Sequence, residues 1–552
     1  VGDASEEARE HRMTVELNAA TVDFLGDSYT FLDCPGSIEF QYETASILAA
    51  CDAAIVVTEP DTRKAAPLQL ILRQLEERGV PHFLFINKID KAEGRIRDLL
   101  PALQPASRKP LVLRQIPIWK DGIATGFVDL ALERAFVYKE HAPSQVVDIP
   151  ADISEREHEA RFHMLEQLAD YDDALMEQLL SDMEPPRDKI FEDLAAELRQ
   201  GKICPVLLGS AEKGNGVLRL LKALRHEAPT IAETAKRLGL QGNRPAAQII
   251  KTLHTSHGGK ISLARVLSGE FGDGMTIHGA DSEERIAGCF VLKGQEVVKR
   301  GPAHAGDTVG LGRLEKVRTG ETITTDKGGI AQLGGVKAPE PVHAIAIGVK
   351  ERKDEVKLSS ALAKIVEEDP SIVVEHAADT HQVVLHGQGE MHLRVAVEKL
   401  KRKYGIDIET KQRQVPYKET IRRSTSVRGR HKKQSGGHGQ FGDIEIEIGP
   451  LARGSGFQFV ERITGGVVPR QYFTSVEKGV RDACHRGLFA GHQMTDIAVH
   501  CIDGKYHDVD SSEMAFKTAG SKGIKAAITQ ARPVLLEPIM HLEVSVPASF
   551  VG

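Results

Sequence analysis

Apolar runs that stop abruptly at polar residues set the rhythm of the first two hundred positions. Phe83-Leu84-Phe85-Ile86 ends at Asn87-Lys88-Ile89-Asp90, Tyr29-Thr30-Phe31-Leu32 ends at Asp33-Cys34-Pro35-Gly36, and Pro205-Val206-Leu207-Leu208 ends at Gly209-Ser210-Ala211. Short continuous apolar runs bounded by turn signals predict buried strands. Between them lie periodic, helix-like segments at Ile38 to Ala50 and Ala65 to Arg78. The 54 positions from Asp33 to Asn87, with the second of these helices inside them, suit one parallel β-α-β step. The 120 positions from Asp90 to Ser210 exceed what one crossover needs, and residues 154–200 carry helical periodicity with acidic and basic faces, so an inserted helical subdomain is expected there.

From about Pro245 to Asp326 the pattern changes to short alternating strands broken by Gly269, Gly274 and Gly306, which predicts a small antiparallel barrel. Val342 to Tyr417 orders itself as strand, helix, strand pair, helix and strand, a split β-α-β arrangement. Its helices are expected at Lys357 to Glu368 and Glu390 to Tyr404, and after Glu537 the segment Pro538 to Val546 predicts a further strand.

The strand ends carry the candidate chemistry, because open α/β sheets bind ligands beyond the carboxyl ends of their strands. Asp90 can accept two hydrogen bonds from a guanine ring edge, which separates guanine from adenine. Asp33 can hold a hydrated magnesium ion, and Gly36 can bring a backbone N–H against a terminal phosphate. Ser210 and Ala211 can close over a purine base. Taken singly, Asn-Lys-x-Asp is also an ordinary strand-ending turn; three such ends in order favour a nucleotide site.

At 552 residues the chain is too long for one core and predicts several domains. A formal net charge of −7 restricts any nucleic-acid contact to local patches. Six scattered cysteines without a Cys-x-x-Cys pair read as small buried residues of a reducing compartment. No apolar stretch approaches the ~20 residues that span a bilayer, so no membrane partner is expected and the cytoplasm is the default location. One basic patch stands out: Arg422, Arg423, Arg428, Arg430, Lys432 and Lys433 stand against the single acid Glu419, ahead of Gly436-Gly437-His438-Gly439-Gln440. Basic side chains neutralise phosphates and a glycine-rich tip lets backbone approach RNA, although a solvated charge run has the same composition.

With these motifs the chain resembles bacterial elongation factor G and its paralogues, the multidomain translational GTPases, over nearly its whole length. The resemblance implies a multidomain fold: an α/β P-loop-type GTPase domain at 1–240 with a helical insert near 154–200, a β-barrel at 241–340, a ferredoxin-like α+β domain at 341–417, an elongated α+β tip domain at 418–536, and the start of a final domain at 537–552. It implies GTP or GDP and Mg2+ as cofactors. Asp33, Gly36, Asn87, Lys88, Asp90, Ser210 and Ala211 would bind the nucleotide, and Thr14, in Glu10-His11-Arg12-Met13-Thr14, would join Asp33 at the metal; Thr14 otherwise merely opens a strand. A monomer working on the ribosome is expected, touching rRNA and tRNA with Gly436, Gly437, His438 and His507. His507 lies in Gly504-Lys505-Tyr506-His507-Asp508 and is an ordinary turn residue by composition alone. His386, Glu390 and His392 invite a metal site, but the resemblance makes them a turn and a helix start.

Two departures bear on activity. The phosphate-cradling pattern Gly-x-x-x-x-Gly-Lys-Ser/Thr occurs nowhere, and the family usually has a His where Ser37 stands, so the catalytic residue is left unassigned. A chain truncated at both ends relative to the family is the simplest expectation. Translocation of tRNA and mRNA is the implied task; ribosome recycling or rescue, or regulation through a degenerate nucleotide site, are the alternatives.

Overall fold

A computed structural model describes residues 2–92, 96–139, 141–255, 259–294, 296–334, 336–434, 439–463, 467–544 and 546. The chain forms two compact units. One comprises Val1–Ala344, Val349–Val374 and Leu385–Glu409; the other comprises Ile345–Gly348, Glu375–Val384 and Thr410–Gly552.

In the first unit a parallel sheet has the strand order Ala54–Thr58, His82–Ile86, Cys204–Leu208, Leu111–Leu113. Every residue of His82–Ile86 and Cys204–Leu208 is buried, which is why both read as unbroken apolar runs. Helix Ala65–Glu77 places Leu68, Leu72 and Leu75, spaced four and three apart, on the side shared with Leu84, Ile86, Val206 and Leu208. Phe83, Phe85 and Leu207 point to the opposite face and meet Met164, Leu165, Leu168, Leu194 and Leu198 of the insertion. Burying a leucine such as Leu72 completely stabilises by about 2 kcal/mol, so facing layers of this size hold the strand ends in place.

Two expectations change here. Strand Asp27–Asp33 pairs antiparallel with Asn18–Phe24, Asn18 opposite Asp33, and lies outside the four-stranded sheet. The β-α-β step starts instead from Ala54–Thr58, whose β-branched Ile55-Val56-Val57 follows directly on helix Gln41–Ala50. The insertion is also not purely helical. Four antiparallel strands, Gln115–Lys120, Ile123–Asp129, Arg134–Lys139 and Ala142–Val147, precede its helices Ala151–Ala169, Asp173–Leu180 and Arg187–Arg199.

Strands between Ala246 and Ile323 form a six-stranded sheet and two ribbons whose inward side chains, among them Ile249, Val266, Phe271, Ile277, Leu311 and Ile323, close on one barrel core. Strand Lys260–Ser268 does not alternate as expected, because all but its last residue are buried. Its buried ammonium is satisfied: Lys260 donates to the carbonyls of Glu315 at 3.0 Å and Val317 at 2.8 Å and pairs with Glu367. From His343 to Lys411 the elements run strand, helix, strand, strand, helix, strand, the β-α-β-β-α-β order of a ferredoxin-like domain, with helices Glu355–Glu368 and Glu390–Tyr404.

In the second unit Thr425–Lys433, Gln440–Pro450, Ile497–Lys505 and Phe457–Glu461 form a sheet in that order. Helices Phe473–Arg486 and Glu513–Gln530 cover it over a core that includes Ile444, Ile446, Val476, Val480, Val499 and Phe516. Among the described residues the strand expected after Glu537 is not formed. Pro533–Leu536 pairs with Lys418–Ile421, and beyond it Ile539, Leu542 and Val544 are 98%, 82% and 70% exposed with no neighbouring strand among the described residues to hold them.

Candidate nucleotide site and nucleic-acid interface

The ends of His82–Ile86 and Cys204–Leu208 are tied by a short set of hydrogen bonds. Asn87 accepts through Oδ1 from its neighbour Lys88 N at 2.9 Å and from Ala211 N at 2.8 Å, and the Ile89 N–H donates to the Gly209 carbonyl at 3.1 Å. Lys88 takes a left-handed φ of 59°, which turns the chain so that Asp90 points back toward Ser210. Gly209 and Gly216 make the wall thin. A Cβ on Gly209 would lie 2.3 Å from the Asn215 carbonyl oxygen and 2.5 Å from the Phe85 ring, and one on Gly216 would lie 2.3 Å from the Leu208 carbonyl.

Asp90 is the chemical centre of this group. Its side chain is 6% exposed and Oδ2 lies 3.1 Å from Lys213 Nζ. Burial pushes the carboxyl up, but hydrogen bonds from Ser210 and Lys213 outweigh that, so it sits below the ordinary aspartate range and stays ionised at neutral pH. Its other oxygen, Oδ1, is buried without a partner among the described residues. A buried charged acceptor left open is costly and calls for a donor from outside the chain. Lys88, by contrast, spends its ammonium on Glu59 at the surface.

A second group gathers at the strand end Asp33. Thr14, in the loop before Asn18–Phe24 and not in a strand, donates its hydroxyl to Asp3 at 3.1 Å and to Asp33 Oδ2 at 3.4 Å. Lost hydration pushes the Asp33 carboxyl up, the like charge of Asp3 adds to this, and the Thr14 hydroxyl opposes it. Two carboxylates and a hydroxyl facing one another are hard oxygen donors, and a small divalent cation relieves their repulsion. Gly36 is exposed with open space around it, and Ser37 precedes the short turn Ile38–Phe40 without a side-chain capping bond.

Just beyond, Glu39 accepts the His392 N–H at 2.8 Å, and Glu43 pairs with buried Lys251. Lys251 also donates to the Glu368 carbonyl at 3.0 Å, and Glu368 accepts from Lys403 at 2.5 Å. The helix that follows Gly36 is thereby wired to the barrel and to helices Glu355–Glu368 and Glu390–Tyr404. His392 is fully engaged, Nε2 with Asp369 at 2.7 Å and Nδ1 accepting from Gln388 N at 3.0 Å. Among the described residues no cluster of three or more His, Cys, Asp or Glu could hold a metal ion.

In the second unit, the loop after Lys505 meets the start of strand Gln440–Pro450. Asp510 accepts the Gly439 N–H at 2.9 Å and its carbonyl takes the Phe441 N–H at 2.7 Å. His507 is exposed, its Nδ1 held by the backbone of Val509 and Asp510 at 3.3 Å, its ring edge-on to Phe441 at 6.4 Å. Gly436, Gly437 and His438 lie outside the described residues. Arg428, Arg430 and Lys432 alternate onto one exposed side of Thr425–Lys433, but Arg428 and Arg430 are partly neutralised by Asp443, at 2.7 and 3.6 Å. Arg430 also lies over the Phe441 ring at 5.7 Å, giving a basic-aromatic surface suited to RNA.

Residues 1–230 match the family model of the elongation factor Tu GTP binding domain, 338–412 that of elongation factor G domain III, and 413–532 that of elongation factor G domain IV. An elongation factor G-like protein of Synechocystis sp. is 44% identical over 553 residues, covering 100% of this chain and 82% of the relative. The chain belongs to the elongation factor G-like translational GTPases. A crystal structure of a protein from Thermus thermophilus superposes with a TM-score of 0.78 at 30% identity, covering 97% of this chain and 79% of that one. Membership brings a GTP-binding domain, and hence a guanine nucleotide. Among the described residues of this family member no helix is long and apolar enough to cross a membrane.

Sequence inspection missed Lys213 and Asp3. Lys213 was within reach, three residues past Ser210 in the turn Glu212-Lys213-Gly214. Nothing local marks Asp3, which meets Thr14 only through folding.

Proposed function

We propose that the protein is a ribosome-dependent GTPase that selects guanine through Asp90 and uses the nucleotide state to move its second unit against tRNA and the mRNA channel. The observation that carries this is the buried, open Oδ1 of Asp90 beside Asn87 and Ser210. A guanine ring offers two adjacent N–H donors, whereas adenine presents none in that arrangement. Asn87 braces the wall, Lys88 flanks the base, and the Ser210 and Ala211 segment closes over it. Gly36 faces the γ phosphate with a backbone N–H.

Thr14 and Asp33 would hold Mg2+, which when bound neutralises phosphate charge during transfer. Their mutual approach and the raised carboxyl of Asp33 support this assignment. The chain from Glu39 and Glu43 to His392, Lys251 and Glu368 supplies a physical route by which loss of the γ phosphate reaches the rest of the first unit. In the second unit His507, Gly436, Gly437 and His438 would make the RNA contact, with Phe441 against the His507 ring and Arg430 over Phe441.

Ser37 favours a second version of this function. A hydroxyl orients water less well than an imidazole, so slow hydrolysis suits recycling, rescue or a regulatory role. Titration with GDP and ADP, hydrolysis with and without ribosomes, and reconstituted translocation set against subunit splitting separate these. Ribosome-stimulated turnover with tRNA movement supports the translocase; splitting activity supports recycling; guanine-specific binding without stimulated turnover supports the regulator.

A further inference from the structure

We propose that Lys213 is a positioning residue for the guanine-selecting carboxylate, anchored to the inserted sheet so that the insertion governs how long a guanine nucleotide stays bound. The inference rests on the guanine-binding assignment of Asp90 and names what controls that site.

A carboxylate that reads two adjacent N–H donors must hold both oxygens in the plane of the base edge, yet an aspartate pivots freely about its own side-chain bonds. Lys213 supplies the restraint: Nζ lies 3.1 Å from Asp90 Oδ2. A carboxylate oxygen has two lone pairs, so Oδ2 can accept from Lys213 and from a base at once while Oδ1 remains open.

Lys213 is itself fixed from the insertion. Its carbonyl accepts the His141 N–H at 3.2 Å, at the turn between strands Arg134–Lys139 and Ala142–Val147. The next residue, Gly214, lies alongside the same turn, since an added Cβ would sit 4.0 Å from His141 Cα, an ordinary van der Waals contact. Two more contacts bring the same sheet to the guanine wall. Ala124 of strand Ile123–Asp129 shares a core with Ile89, the residue before Asp90, and the half-buried Tyr138 phenol has its pKa raised by lost hydration, with the Asp90 charge adding to it. The insertion therefore reaches the guanine wall through a hydrogen bond, a side-chain core and an electrostatic neighbour. The lysine is half-exposed, so replacing it removes the restraint without opening a cavity.

The test is stopped-flow release of a fluorescent GDP from the full-length protein and its Lys213→Met, Lys213→Arg and Asp90→Asn forms, with fluorescent ADP as the base control. Lys213→Met should release GDP about tenfold faster, and Lys213→Arg should stay within about twofold of the parent. In the Asp90→Asn background, measured with a xanthine diphosphate, adding Lys213→Met should change release less than about twofold, because no carboxylate is left to orient. A merely structural lysine would instead speed release in both backgrounds. Unchanged GDP release in Lys213→Met, failure of Lys213→Arg to substitute, or an equal effect with xanthine overturns the proposal while leaving the guanine site standing. A parent protein that holds ADP as long as GDP overturns both.

Discussion

Glu419 offers a sharp quantitative test of how the second unit is held together. Its carboxylate is fully buried and accepts four backbone N–H groups: Leu488 and Phe489 on Oε2 at 2.9 Å each, Ala490 at 2.6 Å and His492 at 2.9 Å on Oε1. Burial alone would raise its pKa, but these donors outweigh burial and hold it below the ordinary glutamate value of 4.5. In Glu419→Gln the carbonyl oxygen still serves two donors, while the amide NH2 confronts the other two. Losing two hydrogen bonds to a charged acceptor, at about 1.5–3 kcal/mol each, costs roughly 3–6 kcal/mol locally. Because local opening sets amide exchange, protection of residues 488–492 should fall by about 10²–10⁴, while amides of strand Gln440–Pro450 change little. The acid side follows from the depressed pKa. The stabilisation is complete above the unfolded value near 4.5 and disappears as pH falls through the lower folded value, so only the parent should lose protection there. Exchange at 488–492 altered less than tenfold in Glu419→Gln would refute the argument.

Two further outcomes are expected. His82 is fully buried, its Nδ1 bonded to the Val80 carbonyl at 2.9 Å, and burial depresses its pKa from 6.5 to about 4, so the folded form stays neutral while the unfolded chain takes up a proton as pH drops below 6.5. Stability from this site should fall by about 2 kcal/mol between pH 7 and pH 5, a loss absent from His82→Asn in urea titrations. Gly209→Ala should weaken guanine nucleotide binding at least about tenfold and lower the melting temperature, since its Cβ would fall 2.3 Å from the Asn215 carbonyl oxygen and displace the Phe85 ring; unchanged calorimetric binding would count against the wall described.

How much could be read from residues alone depended on where the partners lie. His82–Ile86 and Cys204–Leu208 were legible because a strand covered on both faces is apolar throughout, and their polar ends stand next to them in the chain. Ala54–Thr58 was hidden because its apolar run follows closely on that of helix Gln41–Ala50. The insertion's sheet escaped notice partly because Pro117 and Lys120 interrupt a strand-like pattern that only its antiparallel neighbours make sense of. The buried charges were least legible. Lys251 sits among Ile249, Ile250 and Leu253 and is tolerated there because Glu43, 208 positions away, and the Glu368 carbonyl meet it. Lys213 belongs to the same class, since its value to Asp90 comes from a tertiary contact across 123 positions.

Equilibrium titration of the full-length protein with GDP, ADP and a xanthine diphosphate, for the parent and for Asp90→Asn, tests the central claim most directly. Two hydrogen bonds to a charged acceptor separate guanine from its rivals, so the parent should favour GDP over both by at least about 100-fold, and Asp90→Asn should reverse the order in favour of xanthine. A parent that binds ADP and GDP alike, or an Asp90→Asn form that keeps its preference for guanine, would contradict the account.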